Sequence, residues 1–201
     1  MPKQTLLDVL KPDYVSIQPH CNKVILTEPQ NNNKNKTLKS VTLTELSDDA
    51  IIIRLEPLGN NLFFESGKEH NGKKLSNYRC KCDYIVISEV NGQGYFFFLE
   101  MKSSNVDEHA KYQLLRGRCV MEYLRFTLQN VAGHTDAYSD YIDRYVVICK
   151  LPMEHGGTNP KKDYIESIQP KGSNTSINNI LPFDINDENT ISIKELIYDA
   201  V

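Results

Sequence analysis

The segment Arg79–Ser104 constrains the fold most. Two β-rich runs, Cys82–Val90 (CDYIVISEV) and Tyr95–Lys102 (YFFFLEMK), flank Asn91-Gly92-Gln93-Gly94. An Asn-Gly pair between such runs signals a hairpin, because the tight turn needs residues that accept positive φ. Both runs are apolar at odd and even positions alike, so neither has a polar face to turn to water. Strands of this kind belong at the centre of a sheet covered on both sides. Tyr95-Phe96-Phe97-Phe98 reads as core rather than as a base-stacking platform, since alternate residues face opposite sides of a buried strand.

A helix is expected to follow at about 106–130. Asn105 and Glu108 are spaced as a capping box. Leu114, Met121, Leu124 and Leu128 form one stripe, which Leu115, Cys119, Tyr123 and Phe126 widen. Tyr145–Lys150 (YVVICK) and Ala50–Leu55 (AIIIRL) read as further buried strands, and Lys23–Thr27, Tyr14–Ile17 and Leu62–Glu65 as shorter β-type runs. Val41–Leu46 and Ile191–Ala200 fit helix or strand. Leu6, Leu7 and Leu10 share a face of a short N-terminal helix that Pro12 stops. The polar run near 29–39 and the Gly-, Asn- and Pro-rich stretch 153–180 read as loops. Gly67–Asn77 is polar and basic, with a turn signal at Asn71-Gly72.

At 201 residues the chain is expected to be a single domain, with a core at about 50–150. Residues 1–49 form an N-terminal extension and 151–201 a loop-rich C-terminal segment. Five cysteines without a framework spacing point to reduced thiols and a cytoplasmic setting. Cys80-Lys81-Cys82 has no second pair to complete a zinc site. No apolar run reaches the ~18 residues of a membrane span, and the first residues do not resemble a secretory signal. The net charge of −3 argues against a dedicated nucleic-acid coat protein. It does not argue against an enzyme that meets nucleic acid with one face, because residues 67–118 carry a net +3 against −6 for the remainder.

If Asn91–Gly94 is a four-residue loop, Val90 faces Tyr95 and Asp83 faces Lys102. Directly opposed residues of an antiparallel pair share a face. Asp83, Glu100 and Lys102 then lie together at one end of an otherwise apolar hairpin. The spacing fits two chemistries. One is an Asp83–Lys102 cross-strand ion pair with Glu100 solvated. The other is a site for a hard divalent cation, which takes carboxylate oxygens, with a lysine placed to stabilise charge on a phosphate. Cys80 and Cys82, of opposite parity to Asp83, are expected to point away from it.

Asp83, a gap of 16 residues, and Glu100-Met101-Lys102 resemble the D…(D/E)-x-K signature of the PD-(D/E)xK phosphodiesterase superfamily, the restriction-endonuclease-like nucleases. There the Asp lies on one strand of a hairpin and the E-x-K on the next, and a helix and a further strand follow. The likeness covers about residues 50–150. Cys82 stands where the family often has Pro. The fold it implies is α/β, a mixed central sheet flanked by helices on both sides. It implies a nuclease, acting on DNA first and with RNA also compatible, with catalytic residues Asp83, Glu100 and Lys102. Mg²⁺ or Mn²⁺ would be held by Asp83, Glu100 and the Met101 backbone carbonyl. Glu65 is preferred over Glu56 and Glu45 as an added acidic ligand. Lys81, Lys111, Gln113 and Arg116 are candidate nucleic-acid contacts. Some family branches carry a Gln on that helix with a Tyr four residues later; Gly117 occupies that place, so the chain is not assigned to them. His70 and His109 read as surface residues near the site. The family's usual company implies bacterial or phage-related defence. The acidic total charge implies weak affinity for DNA and an ATPase or sensor partner that delivers it. A homo-oligomer is compatible with all of this. The alternative is a nuclease-fold subunit that no longer cuts and serves as a nucleic-acid-binding or scaffolding protein.

Overall fold

A computed structural model describes residues 6–7, 10, 22–27, 38–55, 69–70, 73–74, 81–102, 108–134, 138–149, 173–185 and 189–199. The chain forms β1 (Val24–Thr27), β2 (Ser40–Thr44), β3 (Ile51–Arg54), β4 (Glu69–His70), β5 (Lys73–Lys74), β6 (Tyr84–Val90) and β7 (Gln93–Lys102). Helix α1 (Glu108–Asn130), β8 (Ile142–Cys149), β9 (Leu181–Asp184) and β10 (Thr190–Ser192) follow, and a 3₁₀ turn at Ile193–Leu196 closes the series. The main sheet has five strands in the order β3-β6-β7-β8-β9. β6 runs antiparallel to both neighbours, while β7, β8 and β9 run parallel. The expected hairpin is therefore central, and α1 makes the crossover between β7 and β8.

The hairpin turn is tighter than the sequence reading had it. Asn91 (φ 53°) and Gly92 (φ 80°) both take the left-handed conformation that a two-residue turn needs. Gln93 and Gly94 are thereby freed to join β7, and Val90 pairs with Gln93. The register shifts by two residues. Because side chains alternate with a period of two, an even shift leaves every residue on its expected face.

One face of the sheet buries Ile51, Ile53, Ile85, Ile87, Phe96, Phe98, Tyr145 and Val147 against α1, which contributes Ala110, Leu114, Met121 and Leu128. Leu6 packs into the same core, and Leu10 N–H donates to its carbonyl, as one turn of helix would. The stripe of α1 is narrower than expected. Tyr123 and Phe126 are 66% and 62% exposed and Cys119 is exposed, because the side facing the sheet centres on Leu114, Gly117 and Met121. Asn105, the expected cap, lies outside the described residues, as do Tyr14–Ile17 and Leu62–Glu65.

The opposite face buries Val86, Phe97, Leu99, Met101, Val146 and Ile148. Helices were expected there too. Among the described residues that face is packed instead by a three-stranded sheet, β1-β2-β10, and the 3₁₀ turn. The β-type run Lys23–Thr27 contains β1, with Val24 and Leu26 buried; of the ambiguous segments, Val41–Leu46 resolves as strand in β2, with Val41 and Leu43 buried, and Ile191–Ala200 divides into the end of β10 and the 3₁₀ turn. Two polar links tie the layers. Tyr84 O–H donates to the Thr27 carbonyl at 2.8 Å, and Ser88 Oγ accepts Ser47 N–H at 3.1 Å. No helix among the described residues is long and apolar enough to cross a membrane.

The C-terminal segment is held by one buried amide. Asn174 is fully buried, donates from Nδ2 to the Leu196 carbonyl at 2.9 Å, and accepts Tyr198 N–H on Oδ1 at 3.0 Å. Its Oδ1 also accepts from the guanidinium of Arg144, at 2.9 Å, which is bound in turn by Asp199 at 2.7 Å. Asn174→Ala orphans several of these groups at once, and each unsatisfied buried group costs roughly 1–3 kcal/mol. The expected loss is about 2–3 kcal/mol in urea unfolding, with an unchanged slope against denaturant.

Candidate active site

The polar groups collect at the end of the hairpin away from the turn. Extending the register one pair beyond Tyr84↔Leu99 sets Asp83 opposite Glu100, rather than opposite Lys102 as the four-residue loop implied. Glu100 and Lys102 keep the common face that parity predicts, and Asp83, which precedes β6, lies near enough to Glu100 to act on its charge. That common face is the one α1 covers.

Each of them is fixed by the backbone or by a neighbour. Asp83 lies just before β6. Its carbonyl accepts Leu55 N–H at 3.0 Å, and its Oδ2 accepts Met101 N–H at 2.8 Å. Lys102, the last residue of β7, places Nζ 2.9 Å from Glu100 Oε1 and donates to Gln113 Oε1 at 2.6 Å. Gln113, on α1, also donates from Nε2 to the Lys81 carbonyl at 3.4 Å, and its own carbonyl accepts Cys82 N–H at 2.8 Å.

Glu100 is the unusual member. It is 2% exposed, yet its Oε2 has no hydrogen-bond partner. Burial, and then the Asp83 charge, push its pKa up to about 8, against the opposing pull of Lys102 and Gln113. A carboxyl in this state is a neutral acid at neutral pH. It is also an oxygen donor awaiting a cation, since a hard divalent ion would satisfy Oε2 and offset the repulsion from Asp83. The donor set thus fits Mg²⁺ or Mn²⁺ in kind. Among the described residues, no group of three or more His, Cys, Asp and Glu side chains gathers as a ligand set.

The remaining predicted residues divide. Lys81 donates to the Leu55 carbonyl at 3.1 Å and lies close to Arg116; burial, and then that guanidinium, lower its pKa. Lys81 and Arg116 therefore form a pair of neighbouring cations. Gln113 is not directed to an outside phosphate as expected, because its side chain is engaged by Lys102 and the Lys81 carbonyl. Lys111 donates to Asn178 Oδ1 at 2.8 Å. Met101 turns its side chain to the opposite core. Glu45 is exposed and bound by Ser192 Oγ and Lys194 Nζ of the C-terminal segment, so it does not join the trio. Glu65 and Glu56, like Cys80 and the His70 side chain, lie outside the description. His109 is half-buried on α1.

Cys82 departs from expectation. It sits with the α1 core instead of facing away, because both it and Asp83 precede β6, where strict alternation no longer holds. Its Sγ donates to the Tyr84 carbonyl at 3.4 Å. Burial first, and then the Glu100 and Asp83 charges, push its thiol pKa well up, so it is a neutral thiol. Comparison with protein-family models, with curated proteins and with solved structures gave no match to this chain.

Proposed function

We propose that this chain is a metal-dependent nuclease that hydrolyses phosphodiester bonds of DNA, with Asp83, Glu100 and Lys102 as its catalytic residues. The observation that carries the reading is the buried Glu100 carboxyl. Its Oε2 lacks a partner, and it sits between a second carboxylate and an ammonium. Such a group is costly to bury without a partner, and a cation held between the two carboxylates would supply one. The order of elements supports the same reading. An antiparallel hairpin bears the acids and the lysine, and then a helix and a parallel strand follow, as in the restriction-endonuclease-like fold.

Asp83 and Glu100 would hold Mg²⁺ or Mn²⁺, to which the resemblance adds the Met101 carbonyl. When bound, the ion supplies polarisation of the phosphate and an acidified water. The chain's own residues do the rest. The Met101 N–H bond fixes the Asp83 carboxylate, so little reorganisation is left for the reaction. Lys102 is aimed by Glu100 and Gln113 and is 20% exposed, which lets it meet a phosphate and stabilise its developing charge. Lys81 and Arg116 offer a cationic approach for the backbone. One such pair on an acidic chain gives modest affinity, which favours delivery by an ATPase or sensor partner in the cytoplasm, as defence systems would require.

The test is plasmid DNA incubated with the purified chain and Mn²⁺ or Mg²⁺. Nicking or degradation that EDTA stops is the expected result. Salt-sensitive DNA binding without cleavage would favour the non-cutting subunit. Neither binding nor cleavage, with or without the ion, would remove the nuclease reading.

A further inference from the structure

The helix that covers the site touches it at a position with no side chain. A β-carbon on Gly117 would overlap the Cys82 sulfur and stand 3.3 Å from the Phe98 ring. Glycine in the middle of a helix is destabilising relative to alanine, so its presence within α1 calls for a reason. The reason in space is the approach of α1 to the segment just before β6. One turn earlier on the same face, Gln113 is bonded to that segment twice, through its carbonyl to Cys82 N–H at 2.8 Å and through Nε2 to the Lys81 carbonyl at 3.4 Å. The remaining polar atom of that side chain, Oε1, accepts Lys102 Nζ at 2.6 Å.

We infer that Gly117 is a positioning residue for the catalytic group: by letting α1 close on Cys82, it sets Gln113 on Lys102 and fixes the segment that carries Asp83. The inference rests on the nuclease reading for its chemistry, but its geometry is independent of it. A side chain at 117 must move either the helix or Cys82. Moving the helix withdraws Gln113 from Lys102. Moving Cys82 means turning its sulfur within a closed core or shifting the backbone that leads to Asp83. Either shift is of the size that costs an enzyme about a hundredfold when it misplaces a reacting group. Cys82 acts here only through the volume of its sulfur, since the bond to Gln113 comes from its backbone.

That last point supplies the experiment. Gly117→Ala, Cys82→Ala and the double variant are compared with the wild-type chain. In the double variant the obstructing sulfur is gone and the nearest remaining Cys82 atom, Cβ, lies 3.7 Å from the new methyl. Two readouts are taken on folded protein. The first is the Lys102 ammonium signal in ¹⁵N-lysine NMR, assigned with Lys102→Arg, without any metal. The second is the rate of Mn²⁺-dependent plasmid cleavage. Gly117→Ala should lose or shift the Lys102 signal and cut kcat about a hundredfold with little change in KM. The double variant should recover the signal and come within about threefold of wild type, as should Cys82→Ala. Leu128→Ala, destabilised in the same helix but remote from these contacts, should keep both readouts once folded.

If Gly117→Ala keeps the Lys102 signal, or if removing the sulfur fails to restore it, the positioning role is overturned. The same holds if Gly117→Ala proves too unstable to fold and the double variant, once folded, lacks the signal. If the signal is lost and regained as expected while wild type cleaves nothing, the positioning stands and it is the nuclease reading that falls.

Discussion

Lys102→Ala should reduce Mn²⁺-dependent DNA cleavage at least about a hundredfold while leaving the fold in place, as judged by circular dichroism and urea unfolding. The two halves of this expectation rest on different contacts. For stability, the lysine is a partly exposed end-of-strand residue, and the partner it abandons is not left as a bare buried charge. Glu100 already holds its proton to about pH 8, so at neutral pH it remains the neutral acid. Gln113 Oε1 and Glu100 Oε1 each lose a partner, so the cost is about 1–3 kcal/mol, short of unfolding the chain. For the reaction, an ammonium aimed by Glu100 at 2.9 Å and Gln113 at 2.6 Å is lost from the place where charge develops, and a preorganised contact of this kind is typically worth 10²–10³ in rate. Asp83→Asn is the matching variant on the opposite strand. It keeps an oxygen for the Met101 N–H but removes the charge, so it should weaken Mn²⁺ binding and cleavage without the loosening that Asp83→Ala brings. Glu100→Gln should behave likewise. Wild-type cleavage by all three would place the chemistry elsewhere and leave the trio as a charge cluster at the margin of the sheet.

The common face of Glu100 and Lys102 was legible because both lie on one strand, where parity is a strong constraint. The opposed partners were not, since Asn91-Gly92 alone supplies both left-handed residues and no extra loop is needed. An error of two in register preserved the face, where an error of one would have reversed it. The role of Gln113 was hidden for a different reason. Its distance in sequence from Lys81, Cys82 and Lys102 says nothing about which side of α1 lies against the strand ends. The one sign available was Gly117, a poor helix residue on the buried stripe four positions later. The small sheet on the far face was the least legible part. β2 and β10 are five and three residues long, too short for periodicity to separate strand from helix, and β10 joins β2 from the far end of the chain. The widened helix stripe failed by excess: Tyr123 and Phe126 are apolar enough to suggest core, yet apolar residues on a surface are common and carry no such implication.

The metal-free chain should lose stability as pH rises from about 4.5 to about 8. Glu100 has an ordinary pKa of 4.5 when unfolded and about 8 when folded, with burial as the first cause and Asp83 as the second. Between those values the folded protein holds a proton that the unfolded chain has released. The unfolded state therefore binds fewer protons, and the free energy of unfolding falls with pH, by at most about 1.4 kcal/mol per unit. Below the window both states are protonated and above it both are ionised, so the dependence flattens at each end. A total of a few kcal/mol over this window is the scale to look for. Glu100→Gln, neutral at every pH, should remove the slope and melt above wild type near pH 8. A divalent cation makes the opposite correction. It requires the ionised carboxylates, so Mn²⁺ should stabilise the wild type more at pH 8 than at pH 6, and bind up to about tenfold tighter per pH unit in between. Urea unfolding of both proteins from pH 5 to 9, with Mn²⁺ and with EDTA, reads all of this without any substrate. A wild-type profile in EDTA that matches that of Glu100→Gln would mean that Glu100 is not held as a buried acid. A profile with the expected slope that Mn²⁺ leaves unchanged would mean that the pair of carboxylates is a strained structural feature and not a cation site.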